Sequence, residues 1–552
     1  MKKVVLSLFA CCFVAAMALP VHALEVDFNG EFYVEGIFNS SENMLEADAS
    51  SSYRQMRLRV QTTFKISDNL SLITRFDALE KVLSSNDSSF DTDDDGSGWD
   101  SDVDDDNIDF DRAYLSYISP IGLFDIGRMK GVTWGTSFCD DESDTDRIRY
   151  VLPVPMGEGK LYIAAVAEKV TENDMGTQFS SKDNDKYYLG FVYRTDDYSA
   201  GLLSAFYNFK RFQDPGQSFA VADLTRSYKA NSNSSDYRDF LRNSDMADEF
   251  AAYAAWYGAN AVTAGTAKAY ADAAAAYMAA GDAASAGAAA QQAGAYAAQI
   301  DEDWANDASP SSLRAISGRG PTTEAKVYLL APYFQGTFGN LSLEAELDYV
   351  FGTSTYAVPG VKDRDIEAFA YFAEAQYDFG GFNVQAGFAH SQGDADYTDD
   401  DISSMGYVAP GVDWAKMFIL SSIDHGMSTT LGNGVGNHVG NGFASPSTAM
   451  CDGYQMFYAG LDYVLTDTIT IGVLGAISKA DDLPQGPGYD DDQGIEYNAK
   501  FTWNLTDNLT YSAIGAYLDG GDYWKTRASG GVVDPSVDPE VYALYHNITL
   551  TF

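Results

Sequence analysis

The sequence predicts an all-β chain that closes into a transmembrane antiparallel β-barrel of about 18 strands. Hairpins with short turns recur along the chain, long polar segments alternate with those turns, and the first and last strands are able to pair. The alternative is a barrel of 16 strands, in which the weakest hairpin, around 156–159, is misread. Either count is even, because the two ends of the barrel must meet.

The amino terminus predicts a secretory signal peptide over residues 1–23. Lys2 and Lys3 precede an apolar run from Val4 to Leu19, and Val21–Ala23 resembles a cleavage site. This run is short and has no anchor flank, so it does not indicate a membrane helix. The predicted barrel domain is therefore residues 24–552.

The predicted mature chain is strongly acidic. Without Lys2 and Lys3, 33 of the 35 basic residues remain against 80 acidic ones, a formal charge of −47. That balance argues against nucleic acid as a partner, because nucleic-acid binding requires phosphate neutralisation. No apolar stretch beyond the signal reaches the ~20 residues of a transmembrane helix, so strands must do any spanning. Two cysteines remain, Cys139 and Cys451, and a bridge between them is left open.

The hairpins have turn residues with a mechanical reason to be there. The stretches 64–76, 463–475 and 501–515 turn at Ser-Asp-Asn or Thr-Asp, and 333–350 and 377–390 turn at Gly. The stretches 114–128, 150–164 and 192–206 complete a set of eight turns. Nine longer polar segments lie between the hairpins, which together predict 18 strands. Short turns at one end and long loops at the other are typical of an outer-membrane barrel.

The chain ends predict closure. In Val541–Phe552 and in the first mature strand, Val26–Phe38, apolar and polar residues largely alternate. A soluble sandwich is the alternative, but it would leave the terminal strand as an exposed edge. Closure removes the edge and gives each strand one lipid face and one watery face.

Strand parity assigns a set of basic residues to the inside of the barrel. Arg57, Arg59 and Lys65 alternate with apolar residues, and the same test places Arg75, Arg112, Arg147 and Arg149 inward. An arginine facing lipid at mid-membrane would cost about 2–4 kcal/mol, which favours the inward assignment. We expect this basic ladder to set up a field across the lumen that acts on solutes. The alternative is that these residues only keep the wall wet.

The long polar segment 211–323 contains an insertion that breaks the β pattern. Alanine fills 26 of the 50 positions from 251 to 300, and alanine is the strongest helix former. We therefore predict helices over about 246–300, either as a lid over the barrel mouth or as a hairpin outside it.

One acidic loop fits the spacing of a calcium loop. Asp91, Asp93 and Asp95 fall at positions one, three and five, Gly96 at six and Asp102 at twelve. The final ligand is usually a glutamate, so the alternative is an acidic surface that binds divalent cations loosely. We expect no cofactor other than such calcium ions.

The mature chain resembles the trimeric outer-membrane porins, in particular the homotrimeric porins of sulfate-reducing bacteria. The tightest local match is "FDIGRMKGV", residues 124–132, which is similar to the fifth strand of general-diffusion porins where it enters the constriction loop. The resemblance implies that Arg128 lines the eyelet. It also implies a homotrimer in the outer membrane of a Gram-negative bacterium, surrounded by lipid and lipopolysaccharide. The terminal aromatic resembles the signal read by the barrel-assembly machinery.

The following segment departs from that family. "TWGTSFCDDESDTD" is shorter than the usual constriction loop and lacks its Pro-Glu-Phe-Gly-Gly motif. On chemistry alone, the candidates for the acidic half of the eyelet are Asp140, Asp141, Glu142 and Asp144. A solvated surface loop is the alternative for these residues.

The expected function is passive diffusion of ions and small hydrophilic solutes, without chemistry. A substrate-specific channel or a surface adhesin on the same barrel is the alternative. An enzyme would need a nucleophile and a base at matched positions. The mature chain has only His390, His425, His438 and His546, with no supporting motif near any of them.

Overall fold

The computed structural model describes residues 25–41, 44, 50–83, 108–131, 133–138, 140, 143–172, 183–212, 323–356, 363–394, 401–403, 414, 416–421, 452–483, 487–527 and 531–552. The barrel strands are β1 (Glu25–Asn39), β2 (Ser51–Ser67), β3 (Leu70–Val82), β4 (Ile108–Ser119), β5 (Gly122–Lys130), β6 (Asp144–Met156), β7 (Gly159–Thr171), β8 (Asn184–Arg194), β9 (Tyr198–Phe212), β10 (Thr323–Phe338), β11 (Leu341–Tyr356), β12 (Arg364–Asp378), β13 (Phe382–Ser391), β15 (Tyr454–Thr466), β16 (Ile469–Lys479), β17 (Asp492–Thr506), β18 (Leu509–Asp519) and β19 (Glu540–Thr551). A two-residue strand, β14 (Asp401–Ile402), pairs in parallel with β12 and is not part of the wall.

The 18 wall strands form one closed antiparallel sheet. Each strand pairs with its neighbours in sequence, and β1 pairs with β19 from Glu31 opposite Thr551 to Asn39 opposite Ala543. Met156 pairs with Gly159 across the weakest predicted turn, so the count is 18 and not 16. The predicted fold class and closure are confirmed.

The short turns follow the chemistry expected from their sequences. The hydroxyl of Thr466 accepts the N–H of Ile469 at 3.0 Å, and the Thr195 hydroxyl accepts the N–H of Tyr198 at 3.1 Å. Other short turns have glycine in place of these residues, because the backbone there is left-handed. Gly339 has a φ of +67° and Gly380 a φ of +80°. Local hydrogen bonds and left-handed residues thus define one end of the barrel.

The outer face of the barrel is apolar and carries two bands of aromatic rings. Near the long loops, Tyr187, Phe206, Tyr328 and Phe351 follow one another with centroids 6.4, 5.0 and 5.3 Å apart. Near the short turns, the second band contains Tyr193, Tyr198, Phe334 and Phe338. Aliphatic side chains such as Leu189 and Leu202 lie exposed between the bands. Aromatic girdles that flank an apolar belt are the pattern of a barrel crossing a bilayer.

One short helix lies over the wall at the long-loop end. Helix α1 (Asp522–Arg527) buries Tyr523 and Trp524; the Tyr523 hydroxyl donates to Asp452 at 2.9 Å, and Arg527 pairs with the same carboxylate. No helix within the described residues is long and apolar enough to cross a membrane.

Several predicted features lie outside the described residues. They are the helices at 246–300, the signal peptide, Cys139 and Cys451, Asp141 and Glu142, and the calcium-like loop with Asp91, Asp93, Asp95 and Asp102. They stay predictions.

Candidate pore constriction

The segment between β5 and β6 folds into the lumen. We call residues 133–140 the constriction loop. Its side chains and backbone contact inward-facing groups of β8 to β12, several strands away from its own ends. The segment is short, yet it narrows the barrel.

Hydrogen bonds anchor this loop to the inner wall. The Thr136 N–H donates to a carboxylate oxygen of Glu346 at 2.6 Å, and the Trp134 Nε1–H donates to the Ala331 carbonyl at 2.8 Å. Gln335 donates to the Gly135 carbonyl at 3.0 Å. Gly135 has a φ of +63°, and a Cβ there would lie 2.5 Å from Glu346. Only glycine permits this close approach.

The indole of Trp134 fits where the wall has no side chains. A Cβ on Gly190 or on Gly201 would lie 3.0 Å from the Trp134 ring. Tyr333 meets the same ring edge-on with centroids 5.3 Å apart. Two glycines on adjacent strands thus form a recess that holds the loop.

Asp140 closes the loop instead of lining an eyelet. Its carboxylate accepts the Trp134 N–H at 2.7 Å, and only 9% of the residue is exposed. The expectation that Asp140 presents an acidic group to solutes is therefore corrected. Asp144, the first residue of β6, pairs with Arg75 at 2.6 Å and with Arg112, so it belongs to the opposite wall.

A second segment also enters the lumen. Within the long connection from β13 to β15, residues 414 and 416–421 are described, and we call them the second inward segment. Trp414, Met417, Ile419 and Leu420 are almost completely buried. This part of the chain was predicted to be a polar surface loop, and that prediction is wrong for these residues.

Two carboxylates hold the second inward segment. Glu496 of β17 accepts the N–H groups of Ile419 and Leu420 at 2.9 and 2.8 Å. Glu374 of β12 lies 2.7 Å from the Lys416 ammonium and accepts the Tyr458 hydroxyl at 2.5 Å. The backbone donors of the turn and one lysine are therefore satisfied by inward acids of the wall.

The two inward elements meet. Phe138 of the constriction loop stacks on Phe372 of β12 at 5.5 Å and meets Trp414 edge-on at the same distance. Within the described residues, contacts of the two elements lie on β8 to β12, on β15, on β17 and on β19. The inner faces of β2 to β6 lie across the barrel from these strands.

The inner face of the first strands carries the predicted arginines together with a matching set of acids. Arg57 lies 3.1 Å from Glu80, Arg59 donates to Asp77 at 2.7 Å, and Arg149 lies 2.8 Å from Asp125. Arg75 lies 2.8 Å from Asp111, and Arg147 pairs with Glu168. We call this ion-paired face of β1–β8 the paired wall. The structure places these arginines inward. Because each of them has a carboxylate partner, they form a nearly neutral network and not the expected basic ladder.

A β-bulge brings one of these acids inward. The pairing of β3 with β4 shifts between Arg75 and Asp77, where Phe110 points out and both Asp111 and Arg112 contact inward groups. Strict alternation cannot place two successive side chains on one face, so parity alone missed Asp111.

Arg128 faces outward, contrary to the prediction. It has the parity of the exposed Ile126, whereas the buried Asp125 and Met129 have the opposite parity. Its guanidinium lies 3.6 Å from Asp146, which also points outward, and both side chains are more than half exposed. The local match to the porin strand therefore does not transfer an eyelet role to this residue.

One histidine has a carboxylate partner, at the rim beside the long loops. His390 Nε2 lies 2.8 Å from Asp481, which also accepts the amide of Gln455 at 3.0 Å and the Gly393 N–H at 3.1 Å. Burial raises the pKa of Asp481, but these hydrogen bonds outweigh it and hold the pKa below its usual value. Within the described residues no hydroxyl or thiol hydrogen-bonds to the His390 ring.

The second inward segment had one signal in the sequence. "WAKMFIL", residues 414–420, is the apolar run inside the polar stretch 392–452. An apolar run in a loop indicates burial. What buries it is a set of acids and aromatics on distant strands, which the run itself does not reveal.

Among solved structures, the chain is similar in fold to several outer-membrane proteins. A BenF-like porin from Pseudomonas fluorescens aligns with a TM-score of 0.43 and 9% identity over 96% of this chain and 98% of that one. OccAB4 of Acinetobacter baumannii aligns with a TM-score of 0.44 and 9% identity over 97% and 99% of the two chains. The trimer form of OmpT, an outer membrane protein of Vibrio cholerae, aligns at 0.36 and 9% over 96% and 100%. At this similarity no residue role is carried over from them.

No family model matches the chain. No curated protein matches it either.

Proposed function

We propose that the chain is an outer-membrane porin, a water-filled channel through which ions and small hydrophilic solutes diffuse passively. The observation that carries the proposal is the constriction loop, anchored by the Thr136 N–H to Glu346 inside a closed barrel with an apolar outer belt. The charged paired wall lies across the barrel from the strands that anchor the constriction loop. Such a lumen conducts by hydration and charge and needs no chemical step.

Planar-bilayer recording of the purified protein tests this function. We expect discrete insertion steps with ohmic conductance, unaffected by ATP or other cofactors. A conductance that saturates with one class of solute would favour a substrate-specific channel. Protein that inserts but gives no steps would contradict the proposal.

We further propose a homotrimer in a bilayer that contains lipopolysaccharide. The resemblance to trimeric porins supports this proposal, and the outward Arg128–Asp146 pair, near the long-loop ends of β5 and β6, is available to a neighbouring subunit. On the outer faces of the first strands, Thr62 and Thr74 replace the large apolar side chains seen elsewhere. Cross-linking and light scattering in mild detergent test the trimer, and a monomer would contradict it.

Two further binding partners are proposed from sequence features alone. The terminal Phe552 favours recognition by the barrel-assembly machinery, which depletion of that machinery in cells would test by loss of assembled barrel. The loop with Asp91 and Asp102 favours loose calcium binding, which calorimetry with calcium against an Asp91→Asn, Asp93→Asn variant would test.

A further inference from the structure

Among the described residues, the inner surface of the barrel carries more carboxyl groups than basic groups, and most of the excess lies on one side. On the paired wall, six arginines and Lys186 face eight carboxylates, which are Glu31, Glu35, Asp77, Glu80, Asp111, Asp125, Asp144 and Glu168. Every one of these arginines has a carboxylate within 3.1 Å. This wall therefore contributes little net charge to the lumen.

The opposite wall contains carboxylates whose hydrogen-bond partners are neutral. Glu346 accepts the Thr136 N–H, and Glu496 accepts the N–H groups of Ile419 and Leu420. Neither forms an ion pair with a described cation. Both carboxyl groups are buried beneath the inward elements, so neither is exposed to the water of the lumen.

Glu344 is the member of this group that reaches the water. It has the inward parity of Glu346 and is only half-buried, and within the described residues it has no hydrogen bond or ion pair. The charges that act on it are Glu374 and Lys416, and these two neutralise each other at 2.7 Å. Further along the same wall, Asp462 and Lys500 carry opposite charges that interact electrostatically. Among the described residues, Glu344 is thus a partly exposed carboxylate without an ion-pair partner of its own.

We propose that the channel prefers cations to anions and that Glu344 is a residue that determines this preference, an inference that rests on the proposed channel function. A permeating ion passes between a nearly neutral wall and a wall with excess carboxylates, so a small cation is stabilised there and an anion is repelled. The solutes favoured are inorganic monovalent cations and small protonated amines. The net negative charge of the whole chain also attracts cations to the mouth of the barrel, which adds to this preference.

The test is the reversal potential of the full-length channel in a potassium chloride gradient. The parent channel should favour potassium, and Glu344→Gln should lower the potassium-to-chloride permeability ratio about two- to threefold, the effect of one charge several ångströms away in water. Glu344→Lys should lower the ratio further. Glu367→Gln is the matched control, because that exposed carboxylate points outward from β12 and bonds Tyr349, so its loss should leave the ratio unchanged.

A parent channel that favours chloride would overturn the proposal, as would a Glu344→Gln ratio equal to that of the parent. Heat-modifiable migration on gels confirms that each variant is a folded barrel before it is recorded. A folded barrel without any conductance would instead overturn the proposed channel function, and the two failures are thereby told apart.

Discussion

Trp414 meets Phe138 edge-on, with ring centroids 5.5 Å apart and planes at 86°. The two residues are 276 positions apart in sequence and belong to two different loops that enter the barrel from its long-loop end. Both rings are almost completely buried, and Phe372 of the wall contacts both. The contact joins the constriction loop to the second inward segment, so the width of the lumen depends on both.

Removing this contact should widen the channel. Phe138→Ala deletes a buried ring, a change that typically costs about 3–5 kcal/mol and here detaches the constriction loop from its neighbour. We expect a higher single-channel conductance with more frequent fluctuations, measured in planar bilayers. Phe457→Ala is the control, since that ring is exposed on the outer face. An unchanged conductance in Phe138→Ala would show that the contact does not limit the pore.

The anchor of the constriction loop should be separable from that aromatic contact. Glu346→Ala removes the acceptor of the Thr136 N–H and leaves a buried donor unpaired, at a cost of about 1–3 kcal/mol. Glu346→Gln retains a carbonyl acceptor and should disturb the loop less. We expect conductance noise to rise in the order parent, Gln, Ala. Equal noise in all three would mean that the other contacts of the loop, such as those of Trp134 and Gln335, are sufficient to hold it.

Substituting Arg59 should change the ion selectivity of the channel, whereas substituting Arg128 should not. Arg59→Ala removes one positive charge from the paired wall and leaves Asp77 with Arg57 alone, at 3.7 Å, so the reversal potential in a salt gradient should shift towards cations. Arg128→Ala should leave the reversal potential unchanged, because Arg128 faces outward. It should instead lower the temperature at which the SDS-resistant trimer dissociates on gels. A shift for Arg128→Ala as large as for Arg59→Ala would contradict the outward placement.

Deleting residues 245–300 should leave a folded barrel. The strands that flank this connection, β9 and β10, pair directly from Tyr198 opposite Gly336 to Thr323 opposite Phe212. Loop length costs only about 0.6 kcal/mol per doubling, so shortening it should not weaken the pairing.

The same deletion should also raise the single-channel conductance. The insertion is predicted to cover the barrel mouth, since its aromatic side chains are too much apolar area to leave in water. Unchanged conductance would indicate a hairpin outside the mouth. Failure to insert into membranes would show that the insertion belongs to the barrel core.

The number of strands, the closure of the barrel and the inward placement of six arginines could be predicted because they depend on local rules. These arginines are Arg57, Arg59, Arg75, Arg112, Arg147 and Arg149. A strand alternates faces with a period of two, and a turn needs particular residues, so both leave a pattern within a dozen neighbouring positions. The pairing of β1 with β19 followed from the same patterns at the two ends. Arg128 was misassigned by its local match to another family, although its parity with Ile126 already pointed outward.

The constriction itself depended on contacts that no local pattern records. Glu346 receives the Thr136 N–H from 210 positions away, and Glu496 receives Ile419 from 77 positions away. Ion pairs such as Arg75 with Asp144 join strands that are not neighbours in the wall, and the bulge at Asp111 breaks the alternation that parity requires. Alternation and turn chemistry were therefore sufficient to establish a closed barrel of 18 strands from the chain alone. The tertiary structure decided where the lumen narrows and which charges remain uncompensated, because both depend on which distant groups the closed wall brings within hydrogen-bonding distance.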